Sequence, residues 1–523
     1  MSKKLLRSGM IVSSMTLISR ILGLIRDVVV ANLLGAGIAA DIFLFANRIP
    51  NFLRRLFAEG AFSKAFVPVL AEYNADNDPD KTREFIAKVS GTLGGLVTIV
   101  TLIGVIASPV IAALFGTGWF LDWLNDGPDA EKFTQASFLL KITFPYLWFI
   151  TFVALSGAVL NTIGKFGVMA FSPVLLNVGI IAVSIYGAPY FDSPDTAVAW
   201  GVFLGGLLQF LFQIPFMKKE GLLVKPKWAW HDEGVKKVRN LMIPALFGVS
   251  VTQLNLLINQ VIASFLVTGS ISWLYYADRL IEFPLGLFGI AISTVVLPSL
   301  SRIAKQKDLN EEQRKFNFEQ TMDWGVRMVL LLGIPAMIGI LTLAQPLIMT
   351  MFMHGKFQLN DVIASSKALS VMCFGLISYM LISILANGFY ANQNTKTPVK
   401  IGIIAAVSNI CFGLLAIPFG FIGLAMASAL SAAVNASLLY RGLVQNKIYK
   451  VTMKTAVFTL KLLISACIMG ALVSYFSPDL NTWVSLHFWA KVHWLAWLIV
   501  LAAVSYFASL IVLGVRPKDL RTA

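Results

Sequence analysis

Apolar residues run along this chain in blocks of about twenty, each broken by Pro, Gly or a cluster of charge. A block of that length makes a helix able to cross a ~30 Å hydrocarbon layer. Fourteen such blocks are predicted, at 10–31, 38–58, 86–113, 134–161, 166–187, 196–216, 240–263, 272–300, 322–344, 362–389, 398–416, 420–440, 455–476 and 492–513. The fold class expected is an all-α polytopic membrane protein. A membrane β-barrel would instead show strands of ~10 residues with alternating polarity. Lys3, Lys4 and Arg7 ahead of an apolar stretch imitate a signal peptide, but Arg20 and Arg26 interrupt its would-be hydrophobic region. The segment is therefore read as a retained first helix.

Composition agrees with the pattern. Of 523 residues, 57% are hydrophobic and only 13% charged, against roughly 25% charge in a soluble domain. A soluble enzyme, a disordered chain and a coiled coil are excluded on that ground. The net charge of +15 could suggest nucleic acid, yet its distribution tells otherwise. With the N-terminus in the cytoplasm, the inside loops and both tails hold about 27 Lys and Arg. The opposite loops hold about three: Lys132, Lys356 and Lys491. The excess is a topology signal placing both termini in the cytoplasm, and no nucleic-acid partner is expected.

Cys373, Cys411 and Cys467 lie far apart in apolar runs and are expected as small buried hydrophobes. His231, His354, His487 and His493 form no ligand cluster, so no metal is expected. No P-loop, dinucleotide fingerprint, HExxH or GxSxG occurs, so neither a cofactor nor an enzyme activity is expected. Trp483, Trp489, Trp494 and Trp497 fit an interfacial belt around the last span.

The chain also repeats itself. Phe45-Ala46-Asn47-Arg48-Ile49 with Phe52, Leu56 and Phe57 returns as Tyr276-Ala277-Asp278-Arg279-Leu280 with Phe283, Leu287 and Phe288. The same offset pairs Gly157 with Gly388, Asn161 with Asn392 and Lys165 with Lys396. The shift spans six helices, an even number, which is the parallel type of transporter repeat. Two parallel six-helix lobes, 1–234 and 235–452, followed by two additional C-terminal helices in 453–523, are expected.

Charges inside the spans carry the chemistry, because each costs ~2.5–3.5 kcal/mol at a helix centre and needs a reason. On the first helix Ser13, Thr16, Arg20, Gly23 and Asp27 share one stripe, flanked by Arg26. On the second, Asp41, Arg48, Asn51, Arg55 and Glu59 share a face, with Pro50 within it and Arg54 to one side. Arg48, Arg54 and Arg55 could alternatively snorkel to cytoplasmic headgroups, and Asp27 could simply neutralise an arginine. Arg279 supplies a further intramembrane arginine, with Asp278 and Glu282 beside it as counter-charges or, second, as ion-coupling groups. A water-filled cavity lined by Arg20, Arg26 and Arg279 would attract an anion, and the planar guanidinium fork suits phosphate oxygens. The residues alone point to a transporter for an anionic, phosphate-bearing substrate.

Long motifs then narrow the choice. Arg48 to Ser63, Ala65 to Tyr73, Tyr275 to Gly286, Leu297 to Ser301 and Gly388 to Lys400 resemble the MurJ/MviN lipid II flippase family, part of the multidrug/oligosaccharidyl-lipid/polysaccharide exporter superfamily. The resemblance covers essentially the whole chain. It implies movement of the undecaprenyl-pyrophosphate-linked peptidoglycan precursor from the cytoplasmic to the periplasmic leaflet of the bacterial inner membrane, and the expected parallel repeat suits alternating access. It implies substrate-binding roles for Arg20, Arg26 and Arg279, support from Arg54, and functional interest at Ser19, Asp27, Asp41, Arg55 and Glu59. It also implies a lipid-tail groove on the last two helices and association with cell-wall synthesis or division machinery. A Na⁺ site described in the family uses acidic residues in the seventh and eleventh helices; spans 240–263 and 398–416 contain none, which departs from that pattern.

Two transporter alternatives remain. An ion-coupled drug antiporter would need membrane carboxylates where this chain has arginines. An exporter of another lipid-linked oligosaccharide would share the pyrophosphate and is not separated by charge. A membrane glycosyltransferase would need a large extramembrane loop with catalytic carboxylates, and none is present.

Overall fold

The computed structural model describes residues 3–56, 62–75, 78–306 and 310–516. All regular structure among them is helical. Where described, the fourteen expected blocks are helical, with 86–113, 134–161 and 272–300 each divided over more than one helix. Eleven helices among the described residues are long and apolar enough to cross a membrane. The other three, Lys3–Leu34, Ile38–Arg54 and Glu233–Ala263, include the two that carry the polar stripes, and Ile38–Arg54 has only 17 residues. The count of fourteen spans thus rests on the sequence pattern.

Helix boundaries follow from local chemistry. Asp78 and Asp232 sit in extended conformation and accept hydrogen bonds from the free amides of the helices they open, Asp232 at 3.0 Å from Gly234 and 3.3 Å from Val235. Pro79 and Pro194 occupy the first turn, where their missing N–H costs nothing. A capping box formed by Gln358 and Asp361 opens Leu359–Ala391.

At the sequence offset of the expected repeat, the helices pair off along the chain. Lys3–Leu34, Ile38–Arg54, Phe62–Ala75, Pro79–Ile106, Phe166–Ala182 and Pro194–Lys219 have counterparts in Glu233–Ala263, Ser270–Pro284, Ile290–Lys305, Glu311–Phe352, Lys396–Leu415 and Gly420–Gln445. Ala130–Thr143 and Tyr146–Thr162 together match the single helix Leu359–Ala391, and Met453–Phe476 and Phe488–Val512 stand outside the repeat.

By packing the chain divides into two units. The first comprises 1–271 with His354–Phe357, the second 272–353 with 358–523. In the first, Phe62, Phe66, Phe85, Leu147 and Leu160 form a core, with Tyr73 stacked on Phe85 at 4.3 Å. Helices Phe166–Ala182 and Pro194–Lys219 cross at small residues: a Cβ on Gly179 would lie 2.7 Å from the Gly205 Cα. Such close approach is how helices associate where lipid removes the hydrophobic drive. In the second unit, buried Asp323 accepts the Tyr449 hydroxyl at 2.9 Å and the Thr455 hydroxyl at 2.7 Å, and pairs with Arg327 at 2.6 Å. This network fastens Met453–Phe476 to Glu311–Phe352.

Two expectations are corrected. Cys373 is buried, but Cys411 and Cys467 are exposed. Trp483 is not part of an exposed belt; it is 2% exposed, whereas Trp489, Trp494 and Trp497 are exposed.

Candidate functional site

In the first unit Lys3–Leu34 packs against Phe166–Ala182. The Arg26 guanidinium reaches its own neighbour, with Nε and Nη2 donating to Asp27 Oδ1 at 3.0 and 2.7 Å. Its Nη1 donates to Asn177 Oδ1 at 3.1 Å, and Asn177 Nδ2 donates to the Ser19 carbonyl at 3.2 Å. Asp27 is 4% exposed, so this carboxylate needs the arginine; a buried charge without a partner is costly. Asn177 was not singled out in the sequence, although a lone Asn within span 166–187 was a legible signal. Arg20 lies one to two turns away, exposed, and forms no side-chain hydrogen bond or ion pair among the described residues. The stripe therefore holds one arginine already compensated and one with its donors available.

On Ile38–Arg54 the predicted face divides. Asp41 is 2% exposed and its Oδ2 accepts the Gly269 amide at 2.6 Å, so it pins the loop after Glu233–Ala263. Gly269 has φ +94°, a conformation that suits glycine. Asn51 Oδ1 accepts Arg54 Nε at 3.1 Å, while Asn51 Nδ2 bonds the Asn47 carbonyl at 2.8 Å. Arg48 and Arg54 are half-buried and Arg55 is exposed. Glu59 lies outside the described residues.

In the second unit Arg279 stands on Ser270–Pro284 at the counterpart of Arg48. Its Nε and Nη2 donate to the Tyr275 hydroxyl at 3.1 and 2.9 Å, and Nη1 to Glu282 Oε2 at 2.9 Å. Asp278 and Glu282 are exposed. The Arg279–Glu282 pair is partly solvated, so its net worth is small and its donors can be released at little cost. A π-helical turn, Leu285–Gly289, follows directly, the kind of irregularity that recurs at functional sites. Of the predicted residues, the structure brings Ser19, Arg26 and Asp27 together, Asn51 with Arg54, and Arg279 with Glu282.

These arginines sit on a helical frame shared with known exporters. An inward-facing multidrug resistance MATE family transporter of the MOP superfamily superposes with a TM-score of 0.65 at 14% identity, covering 86% of this chain and 99% of that one. That likeness defines the fold, a polytopic helical transporter fold. A solved structure of the lipid II flippase MurJ in an inward closed conformation matches with a TM-score of 0.80 at 27% identity, over 98% of this chain and 99% of the other. The family model for lipid II flippase MurJ matches residues 30–493, and the chain belongs to that family. A relative from Haemophilus influenzae named probable lipid II flippase MurJ is 68% identical, covering 97% of this chain and all of that one. The lipid II flippase MurJ of Burkholderia cenocepacia is 38% identical, with 98% of each chain covered.

Proposed function

We propose that this protein is a lipid II flippase, carrying the undecaprenyl-pyrophosphate-linked peptidoglycan precursor from the cytoplasmic to the periplasmic leaflet by alternating access. The observation that carries the reading is the near-full-length identity to relatives named for that activity, 68% for the Haemophilus influenzae protein. Arg20, Arg26 and Arg279 bind the diphosphate of the headgroup, with Arg54 supporting and Ser19, Asp27, Asp41, Arg48, Asn51, Arg55, Glu59, Asp278 and Glu282 setting their charge and position. A forked guanidinium offers two parallel donors to phosphate oxygens, which an ammonium cannot. The protein is a transporter with no bond-making chemistry of its own. It lies in the inner membrane with both termini cytoplasmic, as the asymmetry of about 27 against three basic residues supports. Repeats 1–234 and 235–452 form the transport body, the helices in 453–523 carry the lipid tail, and the cell-wall synthesis machinery receives the product. The arginine-rich spans argue against a cationic-drug antiporter.

The deciding experiment depletes the protein in a peptidoglycan-making bacterium and asks in which leaflet lipid II accumulates. Accumulation on the cytoplasmic side supports the reading. Undiminished periplasmic lipid II after depletion overturns it.

A further inference from the structure

The second unit contains a cavity of about 500 Å³ that the arginine site does not use. It lies among the C-terminal part of Glu311–Phe352, the first turns of Leu359–Ala391, Ile422, and the segment from Ser477 to Trp483. Its polar wall presents Gln345, Ser366, Lys367 and Ser370. Ser366 is 2% exposed and its hydroxyl has no hydrogen-bond partner. Lys367 and Gln345 likewise form no side-chain bond among the described residues. No carboxylate lines the cavity; the adjacent Asp479 turns instead to the Thr482 hydroxyl. The helix is also irregular here: Leu343 has φ −106° and ψ 16°, and Pro346 lacks the N–H that would bond the Thr342 carbonyl. Broken helices of this kind mark binding sites in transporters, where freed backbone is tolerated beside a polar cavity.

From these features we infer a binding site for the phosphate headgroup of an anionic membrane phospholipid. Lys367 meets the phosphate charge, the hydroxyls of Ser366 and Ser370 and the Gln345 amide donate to its oxygens, and the absence of a lining acid removes repulsion. The lining also includes the apolar side chains of Leu341, Ile422 and Trp483. Tyr475, Phe476 and Phe374, close by in sequence, are exposed apolar side chains. A ligand with an acyl tail fits this setting better than a free ion does. The loops 353–358 and 477–487 belong to the side with few basic residues, so the lipid is drawn from the outer leaflet. That last clause rests on the topology proposed above; the site itself does not depend on transport.

Native mass spectrometry of the purified full chain tests the inference, with phosphatidylglycerol and phosphatidylcholine of matched chains as probes. The wild type should retain phosphatidylglycerol preferentially. Lys367→Ala should weaken retention about tenfold, the worth of one charge-assisted hydrogen bond, and Ser366→Val should weaken it less. Lys367→Arg should keep most of it, and Lys454→Ala, which removes an exposed cation elsewhere, should change nothing. Equal losses in Lys367→Ala and Lys454→Ala would reduce the effect to surface charge and overturn the site. Inorganic phosphate binding that phosphatidylglycerol fails to displace would overturn the lipid assignment.

Discussion

At the residue scale, the three arginines differ in what holds them, and the difference sets distinct expectations. Arg20 and Arg279 are solvated enough that Arg20→Ala and Arg279→Ala should insert at normal levels and fail to support growth. Arg26 is bound to buried Asp27. Arg26→Ala should therefore lose both growth support and stability, by ~3 kcal/mol for a buried charge left without its partner. Adding Asp27→Asn should restore the protein level and leave growth unsupported. Immunoblots alongside complementation separate the two, and growth restored by the second substitution would make Arg26 purely structural. Asn177→Ala removes one hydrogen bond to a charged group, ~2 kcal/mol, so a lower melting temperature with growth retained is expected. Loss of growth at an unchanged melting temperature would place Asn177 on the substrate. The stripe itself was legible, since helical periodicity alone aligns Ser13, Thr16, Arg20 and Asp27. Its pairing with Asn177 was not, because 151 positions separate Arg26 and Asn177 and only packing chooses the neighbouring helix.

At the element scale, loop geometry sets the sensitive points. Lys356 donates its amide to the Asn32 carbonyl at 2.9 Å, and two glycines with positive φ, Gly35 at +71° and Gly355 at +56°, make the approach possible. A Cβ on Gly355 would collide with Asn32, and one on Gly35 would lie 2.7 Å from the Lys356 carbonyl oxygen. Gly355→Val should thus lower the yield of monodisperse protein in size-exclusion chromatography, whereas Gly402→Val, which meets open space, should not. The junction before Glu233–Ala263 responds to acid instead. Burial works to raise the Asp232 carboxyl, but the Lys88 hydrogen bond at 2.7 Å and the amides of Val235 and Gly234 outweigh it and hold it below 3.8. A depressed carboxylate gives its full stabilisation above the unfolded value and loses it as pH falls through the folded one. Asp232→Asn should therefore lower the melting temperature at neutral pH, and the gap from wild type should narrow as acid titrates the depressed Asp232 carboxylate. A gap that persists unchanged in acid would assign the loss to the helix cap alone.

At the scale of the whole molecule, the helical fold could be read because it is written in one dimension, as apolar length. Burial could not. Lipid is as apolar as a helix interface, so exposed Cys411 and Cys467 look in sequence like buried Cys373. The same ambiguity hid Trp483. Charge is the quantity that survives it, since a charge in a span always has a reason, and it also bears on energetics. The proposed substrate is anionic and the cell interior negative, so outward movement of each net charge gains ~2.3 kcal/mol per 100 mV. Membrane potential is therefore expected to drive export or to reset the empty protein. Dissipating it with a K⁺ ionophore at a constant proton gradient should reduce periplasmic lipid II and change the reactivity of a cysteine placed at Ser19. If both stay constant, and removal of Na⁺ or of the proton gradient stops export instead, ion coupling replaces the potential as the energy source.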